Sequence, residues 1–533
     1  MTEHLVVGDR SILYEPSSEY AEPPAEYAAR LHAAYAAAAN DQERRDFGQF
    51  FTPVAVARMM ARLAVRTDAE MLRVLEPGAG AAILTAALCE SLPRSVRRLH
   101  VDAFELHPTL ADLCEATLSH ASRWLDERGV RCTFVVHRTD FILANGTKLT
   151  SQLFDESHET YDIAIANPPY FKLQKQDPRA VAASEIVHGQ PNIYAIFMAL
   201  MASLLREDGT MVTITPRSFT AGDYFRRFRE VLFSMVVPDA VHLFTSRRDA
   251  FRADEVLQEN VIMRARRTAA RTNPRVTIST SGGVHDLEKS ETRDVPLVSV
   301  VDLESRDRTV HIPTTGVEDD VLSLVRSWPH TLHSLQLQVS TGPVVAFRAS
   351  DFLRSEAGRE TVPLLWLQHV RQMAISWPAA TSKRQHIVSN AESAPLLLPN
   401  RTYVLMRRFS AKEEHRRIVA APLFEGELPG DVIGFENHLN YIYRPKGLLG
   451  RDEAVGLSAL LGSALVDRYF RISNGNTQVS AAELRKLPLP SRDLLEAIGQ
   501  AVGSDGAVLD QAVAAKLHVP AKLLRALECG ADA

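Results

Sequence analysis

The stretch Tyr161-Asp162-Ile163-Ala164-Ile165-Ala166-Asn167-Pro168-Pro169-Tyr170-Phe171 sets an amide, two prolines and an aromatic ring at the end of an apolar run. Proline lacks an N–H and fixes its own φ, so the pair stiffens the turn and aims its carbonyls. The Asn167 side-chain oxygen and the Pro168 carbonyl can then accept the two hydrogens of one amino group. Tyr170 offers a flat face to a planar base. A Pro-Pro turn that merely ends a strand would carry the same residues, but three upstream features fall in register with this one.

The first is Val74-Leu75-Glu76-Pro77-Gly78-Ala79-Gly80-Ala81-Ala82-Ile83-Leu84, an acidic strand end that turns on two glycines into a helix. Glycine permits a positive φ and a close approach of ligand to backbone. The second, Val101-Asp102-Ala103-Phe104-Glu105, places Glu105 25 residues past Gly80 (105 − 80) at the next strand end. An ionised carboxylate there can accept from both hydroxyls of a ribose. The third is Thr139-Asp140-Phe141, whose carboxylate can accept from an adenine amino group beside an aromatic contact. Each also occurs as a plain turn or a solvated strand end. Their order makes them one site.

These residues need a scaffold that brings strand ends together. Met71–Leu75, Leu99–Phe104, Cys132–Val136, Tyr161–Ala166 and Thr210–Ile214 read as strands, with Ile83–Leu92, Pro108–Glu127 and Ile193–Leu205 as helices between them. Such alternation predicts a parallel, doubly wound sheet with ligand at the carboxyl ends. Upstream, 1–23 is polar and proline-bearing, with little structure expected, and Ala25–Asn40 has Tyr27, Leu31 and Tyr35 four apart on one helix. A further helix follows over Val54–Val65, with Thr52 as its cap and Pro53 at its first position. Ser279–Gly283 is made only of Ser, Thr and Gly, which predicts a hinge or satellite strands over 268–310. Beyond it, Leu396–Asn400, Arg401–Phe409 and Asn440–Tyr443 read as strands and Ala454–Phe470 as one helix. The expected organisation is a helical extension (1–45), a catalytic domain (46–267), the linker (268–310) and a second domain (311–533).

Composition narrows the partners. At 46% hydrophobic and 23% charged, the 533-residue chain is a globular protein rather than a low-complexity one. Its 60 Lys+Arg and 65 Asp+Glu leave a net charge of −5, so binding to a polyanion must come from local basic patches. Cys89, Cys114, Cys132 and Cys529 form no C-x-x-C pair, which predicts no metal site and a reducing compartment. The longest apolar run, Tyr194–Leu205, is short of the ~18 residues of a membrane span, and Met1-Thr2-Glu3-His4 opens no signal peptide. A soluble, cytoplasmic protein is expected.

Asn167-Pro168-Pro169-Tyr170 behind a glycine-turn strand resembles the amino-methyltransferase signature of S-adenosylmethionine-dependent enzymes. Phe50-Phe51-Thr52-Pro53 precedes the glycine turn and a large domain comes last. That order resembles the gamma-class, TaqI-like adenine-specific DNA methyltransferases of restriction–modification systems. The likeness extends to Gly189-Gln190-Pro191-Asn192-Ile193-Tyr194, Ile214-Thr215-Pro216-Arg217-Ser218-Phe219, Val256-Leu257-Gln258-Glu259-Asn260 and Asn474-Gly475-Asn476-Thr477-Gln478-Val479, so it spans most of residues 45–490. One departure is Ala82, where the family usually has a further glycine.

The resemblance implies an α/β fold, a Rossmann-like class I S-adenosylmethionine-dependent methyltransferase domain followed by a mixed α+β target-recognition domain. It implies methyl transfer from S-adenosyl-L-methionine to the N-6 amino group of a flipped adenine in double-stranded DNA. A separately encoded cognate restriction endonuclease would be the partner, with no membrane and no metal. By position, Phe51 and Thr52 would meet the methionine end of the cofactor. Glu76, Gly78 and Gly80 would line the same pocket, Glu105 would hold the ribose, and Asp140 with Phe141 the adenine. Asn167, Pro168, Pro169 and Tyr170 would receive the target base, with Tyr224 as a second stacking aromatic. Arg226, Arg227 and Arg229 could touch phosphate or form a solvated helix face. Arg401, Arg407, Arg408, Lys412, Arg416 and Arg417 outweigh Glu413 and Glu414 by 6 − 2 = +4, as a DNA-backbone patch or an ordinary charged surface. Asn476, Thr477 and Gln478 could read bases or form a turn. Methylation of RNA or of a protein glutamine, and a DNA-recognition subunit of a defence system, remain as alternatives. A fused nuclease finds little room.

Overall fold

The computed structural model describes residues 3–7, 10–14, 22–38, 52–65, 69–146, 160–186, 191–245, 259–268, 273–381, 383–409, 416–473, 479–504 and 509–529. Two compact units divide the chain, 1–314 and 315–533.

The first unit runs β1 (Glu3–Val7), β2 (Arg10–Tyr14), α1 (Pro24–Ala38), α2 (Val54–Ala64), β3 (Met71–Pro77), α3 (Ile83–Glu90), β4 (Arg98–Phe104), α4 (Pro108–Asp126), β5 (Arg131–His137) and α5 (Phe141–Asn145). It continues with β6 (Tyr161–Ala166), α6 (Ile193–Leu204), β7 (Leu205–Pro216), α7 (Arg226–Met235), β8 (Val237–Phe244), β9 (Asn260–Arg266), β10 (Arg275–Ser281) and β11 (Glu291–Pro296). Nine of the strands form one sheet in the order β11-β10-β8-β9-β7-β6-β3-β4-β5. The core strands β5, β4, β3, β6 and β7 are parallel, and β9 runs antiparallel between β7 and β8. This is the fold of class I S-adenosylmethionine-dependent methyltransferases, extended at one edge by β10 and β11.

The chemistry of each element follows from its position. β6 is almost wholly buried because a central parallel strand is covered on both faces, hence its unbroken apolar run. Ile163 and Ile165 pack with α2 and α3, whereas Ala164 and Ala166 face the side that holds α6. All twelve residues of α6 are buried. No helix among the described residues is long and apolar enough to cross a membrane.

Three expectations are corrected and one open choice is decided. Residues 3–7 and 10–14, where little structure was expected, pair as antiparallel strands with Glu3 opposite Tyr14. Pro53, not Thr52, is the cap residue of α2, and no side chain caps that end. Of the two readings of 268–310, satellite strands are what forms: Ser279–Ser281 lie in β10, parallel to β8, and both serine hydroxyls bond the buried His242 ring (2.8 and 3.0 Å). The long helix expected over Ala454–Phe470 is broken at Gly462-Ser463 into Arg451–Leu461 and Ala464–Ser473. A Cβ on Gly462 would lie 1.7 Å from the Gln372 amide, which fills that gap.

The second unit has its own core. One four-stranded sheet orders Gln338–Thr341, Leu439–Tyr443, Tyr403–Arg407 and Ala420–Leu423, and a five-stranded one orders Leu353–Arg354, His386–Val388, Thr361–Leu365, Val432–Phe435 and Leu397–Pro399. The helices Arg451–Leu461 and Arg492–Ser504 touch backbone to backbone at Gly456, whose Cβ would meet the Leu495 carbonyl at 1.7 Å.

Candidate active site

β3 pairs with β4 on one side and β6 on the other, so the strand order reverses there and a crevice opens at the carboxyl ends. A pocket occupies it. Its walls come from the glycine turn, the ends of β4 and β6, Thr139–Phe141, Thr52, Arg179, Phe197 and, from α1, His32. The helix expected as an extension is therefore part of the wall. Tyr27, Leu31 and Tyr35 dock it against Ala81, Leu110 and Leu113, and Ala25 N–H donates to Glu90 Oε1 (2.8 Å).

The turn after β3 is held in left-handed backbone at Gly78 (φ +67°), Gly80 (+56°) and Ala82 (+58°). Gly78 and Ala79 N–H both donate to the Phe104 carbonyl (2.8 and 3.0 Å), which ties the turn to β4. A Cβ on Gly80 would meet no atom within 4 Å, since it would point into open pocket. Ala82 bears the left-handed conformation without glycine, a strain of roughly 1–2 kcal/mol.

Two carboxylates line the turn. Glu76 is buried and accepts from Thr85 N–H (3.0 Å), so it caps α3 from the preceding strand. Burial, opposed by the Thr85 hydrogen bonds, pushes its carboxyl up to about 7. Glu105 accepts from Gly80 N–H with Oε2 and from His107 N–H with Oε1, each at 2.8 Å. Burial raises its carboxyl too. Each Glu105 oxygen keeps a further lone pair for a ligand hydroxyl.

Asp140 caps α5 through Oδ1, which accepts from Ile142 and Leu143 N–H (2.8 and 3.0 Å). Its Oδ2 lies 3.8 Å from a guanidinium nitrogen of Arg179. Phe141 is buried edge-on against Phe104. Arg179 and Phe171 line the pocket and were not singled out in the sequence; Phe171 directly follows the Asn-Pro-Pro-Tyr motif, which was a usable signal. Arg179 forks onto Asp177 (2.9 and 2.7 Å) and carried no such signal.

Asn167 stands at the end of β6. Its Nδ2 donates to Thr52 Oγ1 (3.0 Å), the bond that Thr52 makes where a helix cap was expected. The Tyr170 hydroxyl sits between Asn167 Oδ1 (2.5 Å) and the Ile214 carbonyl (2.9 Å). Tyr170 was expected to leave Asn167 open and present a ring face. Here its hydroxyl covers the acceptor instead, since burial holds the phenol neutral and a neutral phenol needs an oxygen partner. Pro169 lines the pocket and Pro168 is buried behind it. Among the described residues, no cysteine lines the pocket.

The Eco57I restriction-modification methylase family matches residues 123–251. Over 465 residues the chain is 34% identical to the type II methyltransferase M.BsuBI of Bacillus subtilis, covering 86% of this chain and 90% of that protein. It is also 34% identical, over 468 residues with the same coverage, to M.PstI of Providencia stuartii. The chain belongs to the type II methyltransferases. This methyltransferase therefore matches the resemblance on which the site residues were chosen, and the restriction–modification setting comes with the family.

Around the pocket the expected contacts divide. Tyr224 is 44% exposed, edge-on to Phe225, with Lys172 over its ring. Tyr194 links it to Tyr170 through an aromatic chain, Tyr170–Tyr194–Phe225–Tyr224. Arg226 and Arg227 share Glu230 (3.8 and 3.4 Å) on the exposed face of α7. Arg229 is fully buried and donates to the carbonyls of Phe219, Ala221, Gly222 and Asp307, which puts it out of reach of phosphate. In the second unit the expected basic patch is largely used internally. Arg401 stacks on Tyr443, Arg407 donates to the Val370 carbonyl, Arg408 to the Asn437 carbonyl, and Arg416 pairs with Asp510. Arg417 is buried, which removes it as a phosphate contact. Phe51, Lys412 and Asn476–Gln478 lie outside the described residues.

Proposed function

We propose that this methyltransferase modifies the N-6 amino group of adenine in double-stranded DNA, with a separately encoded endonuclease as its restriction partner. The observation that carries the reading is the Tyr170 hydroxyl on Asn167 Oδ1: a donor of the polarity of an amino group already occupies that acceptor at the switch point. Thr52 orients the amide from the other side.

S-adenosyl-L-methionine fits the pocket by two features. The missing Cβ of Gly80 leaves open space against the backbone, and Glu76 and Glu105, both of whose carboxyls burial raises, would be relieved by a cationic ligand. Glu105 would hold its ribose, Asp140 and Phe141 its adenine, and Glu76, Gly78 and Thr52 the methionine end. When bound, it supplies an electrophilic methyl group. The target nitrogen is a poor nucleophile, because its lone pair is delocalised into the ring. Asn167 Oδ1 and the Pro168 carbonyl would accept its two hydrogens, favour a pyramidal nitrogen and stabilise the positive charge that develops. For this the Tyr170 hydroxyl must leave Asn167, turning its ring to stack on the everted base beside Tyr224.

The test is transfer of labelled methyl to unmethylated genomic DNA, followed by nucleoside digestion. N6-methyladenine is the expected product, lost in Asn167→Ala with cofactor affinity retained. Label on cytosine, or on RNA or protein alone, would overturn the reading.

A further inference from the structure

The geometry points to a duplex-contacting surface in the second unit at the turn 345–352 and the neighbouring strand pair, with Phe347 as an apolar wedge and Arg348, Arg354, Lys383 and Arg384 as phosphate contacts. It rests on DNA being the substrate.

Phe347 is 77% exposed, the most exposed of the large apolar side chains among the described residues. The turn that displays it is anchored. Val344 on one side is buried and bonded through its backbone to Phe435 and Asn437 (3.1 and 2.9 Å), and Ala349 and Leu353 are buried on the other. Arg348 lies over the Phe347 ring at 5.3 Å. Arg384 donates to the Ser350 carbonyl (3.1 Å), which brings the turn against the strand pair where Arg354 stands opposite His386. Lys383 lies over the ring of Trp366, whose Nε1 donates to the Arg384 carbonyl (2.8 Å).

All four cations are exposed, and none is ion-paired with a carboxylate among the described residues. Asp351 is the acid within the turn itself, and it accepts from the Ser350 hydroxyl (3.2 Å). Over 345–360 and 383–388, Arg348, Arg354, Arg359, Lys383 and Arg384 stand against Asp351, Glu356 and Glu360, a local balance of 5 − 3 = +2 in a chain of net charge −5. Residues 401–417 are richer in arginine by sequence, but none of their described arginines is exposed: Arg401, Arg407, Arg408 and Arg416 are half-buried and Arg417 is buried. Arg354 donates to the Asp351 and Leu353 carbonyls (2.8 and 2.9 Å), contacts that leave its charge uncompensated. Exposed cations without a carboxylate partner around a rigidly held, solvent-facing aromatic suit a polyanion with apolar base edges, and a phenylalanine wedge at a base step is a known way of using such a side chain.

The test is equilibrium binding of the full chain to a fluorescent mixed-sequence duplex across a salt series. Each true phosphate contact replaced by Gln should lower the slope of log K against log salt by about 0.9, and all four together by about 3.6 (4 × 0.9). The matching Lys variants of the three arginines should keep the slope. Phe347→Ala should weaken binding severalfold at every salt concentration with the slope unchanged. An unchanged slope in the fourfold variant, with cofactor binding intact and the wild type methylating DNA, overturns this surface and leaves the proposed function standing. A wild type that neither binds nor methylates duplex DNA overturns both.

Discussion

Removing one oxygen from Tyr170 tests whether the closed arrangement over Asn167 opposes entry of the base. The hydroxyl has a single proton for two acceptors, Asn167 Oδ1 at 2.5 Å and the Ile214 carbonyl at 2.9 Å. One net hydrogen bond of about 1 kcal/mol therefore holds the ring inward, rising toward 1.5 because both oxygens lose a buried partner. Tyr170→Phe keeps the ring for stacking and removes that hold. The ratio of closed to open forms should fall about fivefold for 1 kcal/mol, and the apparent KM for DNA with it, provided the closed form dominates. The turnover number should change by less than about twofold, since the phenol takes no part in the transfer. Steady-state transfer of labelled methyl at saturating cofactor measures both constants. A large fall in kcat with unchanged KM would refute the reasoning, because it would make the hydroxyl part of the chemistry. Tyr170→Ala is the contrasting variant: it should lose stacking of about 1–3 kcal/mol and weaken DNA use.

Further outcomes follow from the same geometry. Glu76 is an acid whose folded value is about 7 against 4.5 unfolded, so its contribution to stability is full below 4.5 and is lost as pH rises through 7. Wild type should lose roughly 3 kcal/mol relative to Glu76→Gln between pH 4.5 and 8, read from denaturation of the first unit; parallel curves would contradict the burial argument. Gly80→Ala meets no protein atom, so its folding cost should stay near 1 kcal/mol while cofactor affinity, measured by calorimetry, falls tenfold or more. Arg229→Met leaves four carbonyls without their donor and should destabilise by about 3–5 kcal/mol, seen as a lower melting temperature with the pocket residues themselves untouched.

The strands that carry the site could be read from the chain because central parallel strands are buried on both faces and write themselves as apolar runs. Met71–Leu75 and Tyr161–Ala166 fall within observed strands for that reason, and Glu76, Gly78, Gly80, Glu105, Asp140 and Asn167 all line one pocket. Edge elements lacked this signature. β10 could be read only as either hinge or satellite strand, because its serines face a histidine 37 residues or more away in sequence, a partner no local window contains.

Local order thus decided which residues could meet: a backbone turn, a carboxylate and an amide set at successive strand ends have one common crevice in a doubly wound sheet. Only packing decided what each group does when it arrives. Thr52 orients an amide 115 residues away rather than capping its helix, and Tyr170 covers that amide's oxygen. The arginines divide in the same way, because a guanidinium is exposed or covered according to what packs over it. That depends on residues far apart in the chain, so composition alone pointed to 401–417, whose described arginines are half-buried or buried, whereas exposed cations with no carboxylate partner among the described residues stand at 348, 354, 383 and 384.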